Sequence, residues 1–194
     1  VSLLIRDLER GENDPKFFEA DVFIREALGT NLFGIDSESL AFATGRLLET
    51  RGLRLGVAES CTGGLISSRI TEVPGSSRWF AGGAVVYSNG LKQALLGVPP
   101  ALLQRHGAVS AETARALASG AVDRLQCDVA VSATGIAGPT GGSATKPVGT
   151  VYLGLCYQGE VSDHLFHFSG SRRQIQEKTA HAALDLVRRF FLAH

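Results

Sequence analysis

Leu53-Arg54-Leu55-Gly56-Val57-Ala58-Glu59-Ser60-Cys61-Thr62-Gly63-Gly64 reads as a strand that runs directly into a helix. The run Leu53 to Glu59 has strand length and apolar content, and a helix follows from Thr62 or Gly63 to Val73 before Pro74-Gly75 ends it. The same unit recurs downstream. Gly83-Ala84-Val85-Val86-Tyr87 predicts a buried strand, followed by short helices at Gly90–Leu96 and Pro100–His106. Ser110 caps a helix whose Ala111, Ala114, Leu117, Ala118, Ala121, Val122 and Leu125 recur at 3–4 spacing. Asp128 to Ala133 is a further strand, and Gly135 to Pro147 is a Gly/Pro-rich loop. Val148–Cys156 and Val161–Phe168 flank Tyr157-Gln158-Gly159-Glu160 as a hairpin. A last helix spans about Gln174 to Leu192, with a capping box in Ser171 and Gln174. Strands alternating with helices, plus one hairpin, predict a three-layer α/β/α domain with a mixed sheet.

Upstream, Asp36 or Ser37 is placed to cap a helix that runs to Arg51 and stops at Gly52. Residues 1–36 read differently: a strand over Val1–Leu8, a charged loop over Arg6–Lys16 and a helix over Phe17–Leu28. One strand and one helix bury little, so this stretch reads as part of a small α+β domain. The expected division is 1–36 and 37–194. The chain starts at Val1 and holds no Met, which reads as a fragment of something longer.

Composition narrows the function. The 194 residues carry 19 basic and 19 acidic side chains, so the net charge is zero. Phosphate-binding modules concentrate cations, so direct nucleic-acid binding is not expected, nor is a polybasic membrane arm. No apolar run is long enough to span a bilayer. Three unpaired cysteines fit reduced thiols, hence a cytoplasmic chain. Gly is enriched, at 23 residues.

Four segments are candidates for chemistry. Ser60 stands at the carboxyl end of a strand, where α/β proteins bind ligands; the alternative is an ordinary capped helix start. Glycines 63 and 64 permit close backbone approach. Cys61 is either a rival nucleophile or core packing. Tyr87-Ser88-Asn89-Gly90-Leu91-Lys92 is a second strand end. Only Lys16, Lys92, Lys146 and Lys178 are lysines, and unlike arginine a lysine can act as a base; the alternative is a solvated helix lysine. Thr134-Gly135-Ile136-Ala137-Gly138-Pro139-Thr140-Gly141-Gly142 is either a phosphate-cradling loop or a long connection. Arg172, at the last helix start, is either a phosphate clamp or a solvated charge. His164 and His167 are three apart on a strand and face apart, so no metal site is expected.

Seven blocks occur in order: Ala58–Gly64, Gly75-Ser76-Ser77, Tyr87-Ser88-Asn89 with Lys92, His106–Ser110, Thr134–Gly142, Lys146–Val151, and Gly170 with Arg172. Together they resemble the C-terminal domain of the competence/damage-inducible protein CinA, found also alone as bacterial nicotinamide-nucleotide amidohydrolase. The resemblance implies hydrolysis of the carboxamide of nicotinamide mononucleotide to nicotinic acid mononucleotide and ammonia. It implies Ser60 as nucleophile and Lys92 as its base, with Tyr87 and Thr134 in support. Substrate contacts would come from Glu59, Thr62, Gly63, Gly64, Asn89, Gly135, Gly138 and Arg172. No cofactor is implied, a homodimer is, and residues 1–36 would be the tail of a preceding linker domain. Ser171 and Gln176 depart from the relatives, many of which carry an acidic residue and a second Arg there. The alternative function is a nucleotide-binding regulatory module for competence or recombination proteins.

Overall fold

In the computed structural model, which describes residues 15–36 and 38–194, the chain divides between Glu38 and Ser39 into two compact units. The first contains helix α1, Pro15–Leu28, followed by a single 3-10 turn at Gly29–Asn31. Proline suits the first helical turn, where its missing N–H costs no hydrogen bond. The helix expected from Phe17 thus starts two residues earlier. The strand expected over Val1–Leu8 lies outside the described residues.

The second unit holds a five-stranded sheet in the order β2-β1-β3-β4-β5. Its strands are β1 Leu55–Glu59, β2 Phe80–Val85, β3 Val129–Gly135, β4 Thr150–Tyr157 and β5 Glu160–His167. Strand β1 is parallel to β2 and β3, whereas β3–β4 and β4–β5 are antiparallel. The sheet is mixed, as the pattern predicts. β2 begins at Phe80, earlier than the expected Gly83, and ends at Val85, so Tyr87 lies past the strand.

Helices cover both faces. α4 (Asn89–Leu96), α5 (Pro100–His106) and α6 (Ala111–Leu125) pack together on one side; α2 (Leu40–Thr50), α3 (Leu65–Thr71) and α7 (Arg172–Ala193) pack on the other. Ala58, Val86, Leu96, Leu103, Leu117 and Ala121 form the core on the α6 side. Ile66, Ile70, Ile175, Leu184 and Val187 are buried in helices of the opposite layer.

Capping residues set the helix starts. Ser110 and the Ser171–Gln174 box act as expected. The α2 cap is Ser39, whose hydroxyl accepts from Phe42 N, and not Asp36; the other expected cap, Ser37, lies outside the described residues. Helix α3 is shorter than expected. Gly64, at φ 100°, bends the chain into the left-handed region, and helical geometry begins only at Leu65.

The seat of α6 on the sheet depends on a missing side chain. A Cβ on Gly154 would lie 2.3 Å from Ala114 O and 2.7 Å from Ser132 Oγ. Gly154→Val should therefore lift α6 and destabilise the fold by roughly 1–3 kcal/mol. In thermal denaturation each 1 kcal/mol lost corresponds to a Tm drop of about 2–4 °C.

Candidate active site

The chain leaves β1 through α3 toward one face and leaves β2 through α4–α6 toward the other. The carboxyl end of β1 is therefore a switch point, where an open sheet forms a crevice. A strand alternates its side chains between faces. Glu59 accordingly points to the α3 side and Ser60 to the α4–α6 side. A cleft of about 240 Å³ opens there, with Ser60, Tyr87, Lys92, Thr134, Gly135 and Arg172 in its wall. Cys61, Ala108, Val109 and Ala137 complete the lining.

Ser60 and Lys92 meet across two elements that lie 32 residues apart in the chain. Lys92 Nζ is 3.1 Å from Ser60 Oγ, 2.8 Å from Val86 O and 3.3 Å from Tyr87 O. Lys92 is 1% exposed, which excludes the solvated-lysine alternative. Burial disfavours the ammonium and holds the Lys92 pKa below the ordinary lysine value. In the neutral amine the two carbonyls can engage both N–H groups, leaving the lone pair for the Ser60 hydroxyl. Tyr87 thus supports the pair through its main-chain carbonyl. Its phenol lies at the rim and accepts from Arg172 at 3.0 Å.

Arg172 also donates to Gly138 O at 2.8 Å. Both oxygens are neutral, so the guanidinium keeps its charge available at the cleft mouth. Thr134, 1% exposed, donates to Ala108 O at 2.6 Å and braces the opposite wall. Lys146 strengthens that wall by donating to Val109 O at 2.6 Å. The Gly-rich segment is therefore a tethered structure rather than a loose connection.

Glu59 takes a structural place. It is fully buried, and its carboxylate accepts from Gly64 N, Ile66 N, Ser67 N and Ser67 Oγ at 2.7–3.1 Å. These are the otherwise orphaned donors at the start of α3. Thr62, Gly63, Gly64 and Asn89 also stand outside the cleft wall, and Gly138 contributes only the carbonyl that Arg172 holds. Cys61 is buried, and burial pushes its thiol up to about 12, so it packs as a neutral group. One feature of the site was not singled out for such a part in the sequence: Gln176 Nε2 donates to Cys61 O at 2.9 Å. Its signal is spacing, because Gln176 lies one helical turn beyond Arg172 and shares its face.

Among the described residues no group of His, Cys, Asp or Glu could hold a metal ion, and no helix is long and apolar enough to cross a membrane.

The layers, the switch-point cleft and its buried polar lining define a three-layer α/β protein with a ligand-type site at the carboxyl edge of a mixed sheet. Residues 37–191 match the family model of the CinA C-terminal domain, and the chain belongs to that family. A CinA-like protein of Desulfotalea psychrophila is 45% identical over 192 residues, covering 99% of this chain and 46% of the relative. The chain thus spans less than half the length of that relative. The crystal structure of a competence/damage inducible protein from Agrobacterium tumefaciens superposes with a TM-score of 0.75 at 42% identity, over 80% of this chain and 96% of that one. A CinA superfamily protein from Klebsiella pneumoniae gives a TM-score of 0.77 at 27% identity, with 80% and 97% covered.

Proposed function

We propose that the chain hydrolyses the carboxamide of nicotinamide mononucleotide, releasing ammonia and nicotinic acid mononucleotide. The observation that carries this reading is the buried Ser60–Lys92 pair, 3.1 Å apart, at the floor of a cleft with a cation at its mouth. Neutral Lys92 takes the Ser60 proton as Oγ attacks the amide carbon. The same proton then goes to the departing nitrogen, which leaves as ammonia. Water, deprotonated by Lys92, cleaves the acyl–Ser60 ester and restores the hydroxyl. Arg172 and the Tyr87 phenol suit the phosphate, and the apolar walls of Ala108, Val109 and Ala137 suit the pyridinium ring.

The test is ammonia release from nicotinamide mononucleotide by the folded chain, with the acid product identified by chromatography. A folded chain that releases none above the spontaneous rate overturns the reading. The relatives' competence/damage-inducible names favour one other reading, a module that binds the nucleotide for a partner protein. Thermal stabilisation by the nucleotide without ammonia release would select that reading.

A further inference from the structure

The chain between α5 and α6 is held by side chains rather than by a regular backbone pattern. Four consecutive carbonyls, from His106 to Val109, each accept a hydrogen bond from a side chain. Thr113 Oγ1 donates to Gly107 O at 2.7 Å from the next helix, and Thr134 Oγ1 donates to Ala108 O at 2.6 Å from β3. Lys146 Nζ serves the other two, Val109 O at 2.6 Å and His106 O at 3.4 Å, from 37 and 40 residues further along the chain.

That lysine is fixed at its root. Ser143 N donates to Lys146 O at 2.9 Å, and Lys146 N donates to Ser143 Oγ at 3.0 Å, which closes a tight turn in the Gly-rich segment. The side chain is half-buried, and a hydrogen bond from an ammonium is stronger than one between neutral groups. What it holds is part of the cleft: Ala108 and Val109 line the same space as Ser60 and Thr134. Without the ammonium, Ala108 keeps its anchor on Thr134, whereas Val109 O loses the bond that ties it to the Gly-rich segment.

We propose that Lys146 is a positioning residue for the acyl part of the substrate: by holding Val109 O it sets the apolar wall against which a flat aromatic ring lies while Ser60 attacks the carbonyl carbon attached to that ring. Lys146 touches neither the ring nor a reacting atom; it acts through Val109. The wall meets the ring equally before and during the attack, so its loss weakens binding more than turnover. The inference rests on the Ser60 hydrolase reading and deepens it by naming what selects the acyl group.

The experiment uses the full chain with Lys146→Met, which keeps the apolar stem and removes the donor, Lys146→Arg, which keeps a cationic donor, and Val109→Ala, which trims the wall itself. Thermal unfolding checks that each variant folds; Lys146→Gln, shorter by one bond, replaces a methionine variant that does not. Two p-nitrophenyl esters are compared as acylating agents of Ser60, the nicotinate, whose acyl group is a pyridine ring, and the acetate, which has no ring. Acylation is followed by p-nitrophenol release and located by peptide mass spectrometry. The kcat and KM on nicotinamide mononucleotide are measured alongside.

Lys146→Met should slow nicotinoyl transfer roughly tenfold and raise KM on the nucleotide by a similar factor, while acetyl transfer and kcat stay within about threefold. Lys146→Arg should recover nicotinoyl transfer to within about threefold of the starting protein. Val109→Ala should repeat the pattern, and the double variant with Lys146→Met should be scarcely worse than either single one, because both act on one wall. Unchanged nicotinoyl transfer in Lys146→Met would overturn the proposal. So would an equal loss with both esters, an arginine variant as impaired as the methionine one, or losses that multiply with Val109→Ala. If the unaltered chain accepts the nicotinoyl group but releases no ammonia from the nucleotide, the substrate assignment fails and the two esters alone decide the role of Lys146. If the unaltered chain is acylated only by the acetate, the proposal falls; if by neither ester, the Ser60 reading falls with it.

Discussion

Ser60→Ala is expected to lower kcat on nicotinamide mononucleotide by about 10³-fold or more, and Lys92→Met by a similar factor. The double variant should be scarcely worse than either single one, because the two groups act as one unit: without the base the hydroxyl is not activated, and without the hydroxyl the base has nothing to deprotonate. Losses that multiply would show that the two side chains act independently and would sink the pair mechanism. The pair also predicts a pH profile. Catalysis needs the neutral amine, so kcat/KM should rise with pH through the folded pKa of Lys92, which burial places below the ordinary lysine value.

The same buried amine leaves a mark on stability. Between the depressed folded pKa and the ordinary lysine value of about 10.4, the unfolded chain binds a proton that the folded chain does not. Stability therefore rises with pH across that window. Below it both states are protonated, and the fold carries the cost of a buried ammonium. Urea denaturation at a series of pH values should show this slope in the unaltered chain and its loss in Lys92→Met. An unchanged slope in the variant would assign the proton to another group.

Glu59→Ala should be the largest single blow to folding among the site residues, about 3 kcal/mol or more. Removing the carboxylate leaves three N–H groups and one hydroxyl without their acceptor at a helix start where Ile66 is buried and Gly64 and Ser67 are half-buried. Set against a domain stability of roughly 5–15 kcal/mol, that is a large fraction. The start of α3 should fray and carry the Ser60 turn with it, so activity falls together with the denaturation midpoint. Glu59→Gln keeps one oxygen and should be milder. A Glu59→Ala chain with an unchanged midpoint and a raised KM would instead make Glu59 a substrate contact.

Glu59 and Lys92 show what kind of information local sequence lacks. Both are charged residues whose ordinary place is in water, and both are buried here by contacts distant in the chain or across a turn. Glu59 belongs to the block Ala58–Gly64, and membership in that block says only that the residue matters. Strand alternation, together with the placement of α3 behind the sheet, decides that it faces a helix start rather than the cleft. The contact of Gln176 with Cys61 O is likewise invisible before α7 is docked, because the bond spans 115 residues.

The sequence by itself determined the elements and their order. Caps at Ser110 and Ser171, the apolar periodicity of α6 and the turn before Glu160 are local signals, and local hydrogen bonding and burial respond to them directly. It also marked Ser60, Tyr87, Lys92, Thr134, Gly135 and Arg172, which line one cleft. Only the tertiary structure decided that Lys92 is dry, that Tyr87 serves it through a carbonyl, and that Glu59 is a cap. Those outcomes depend on which face of the sheet each helix covers, and that is a property of packed layers and not of any one segment.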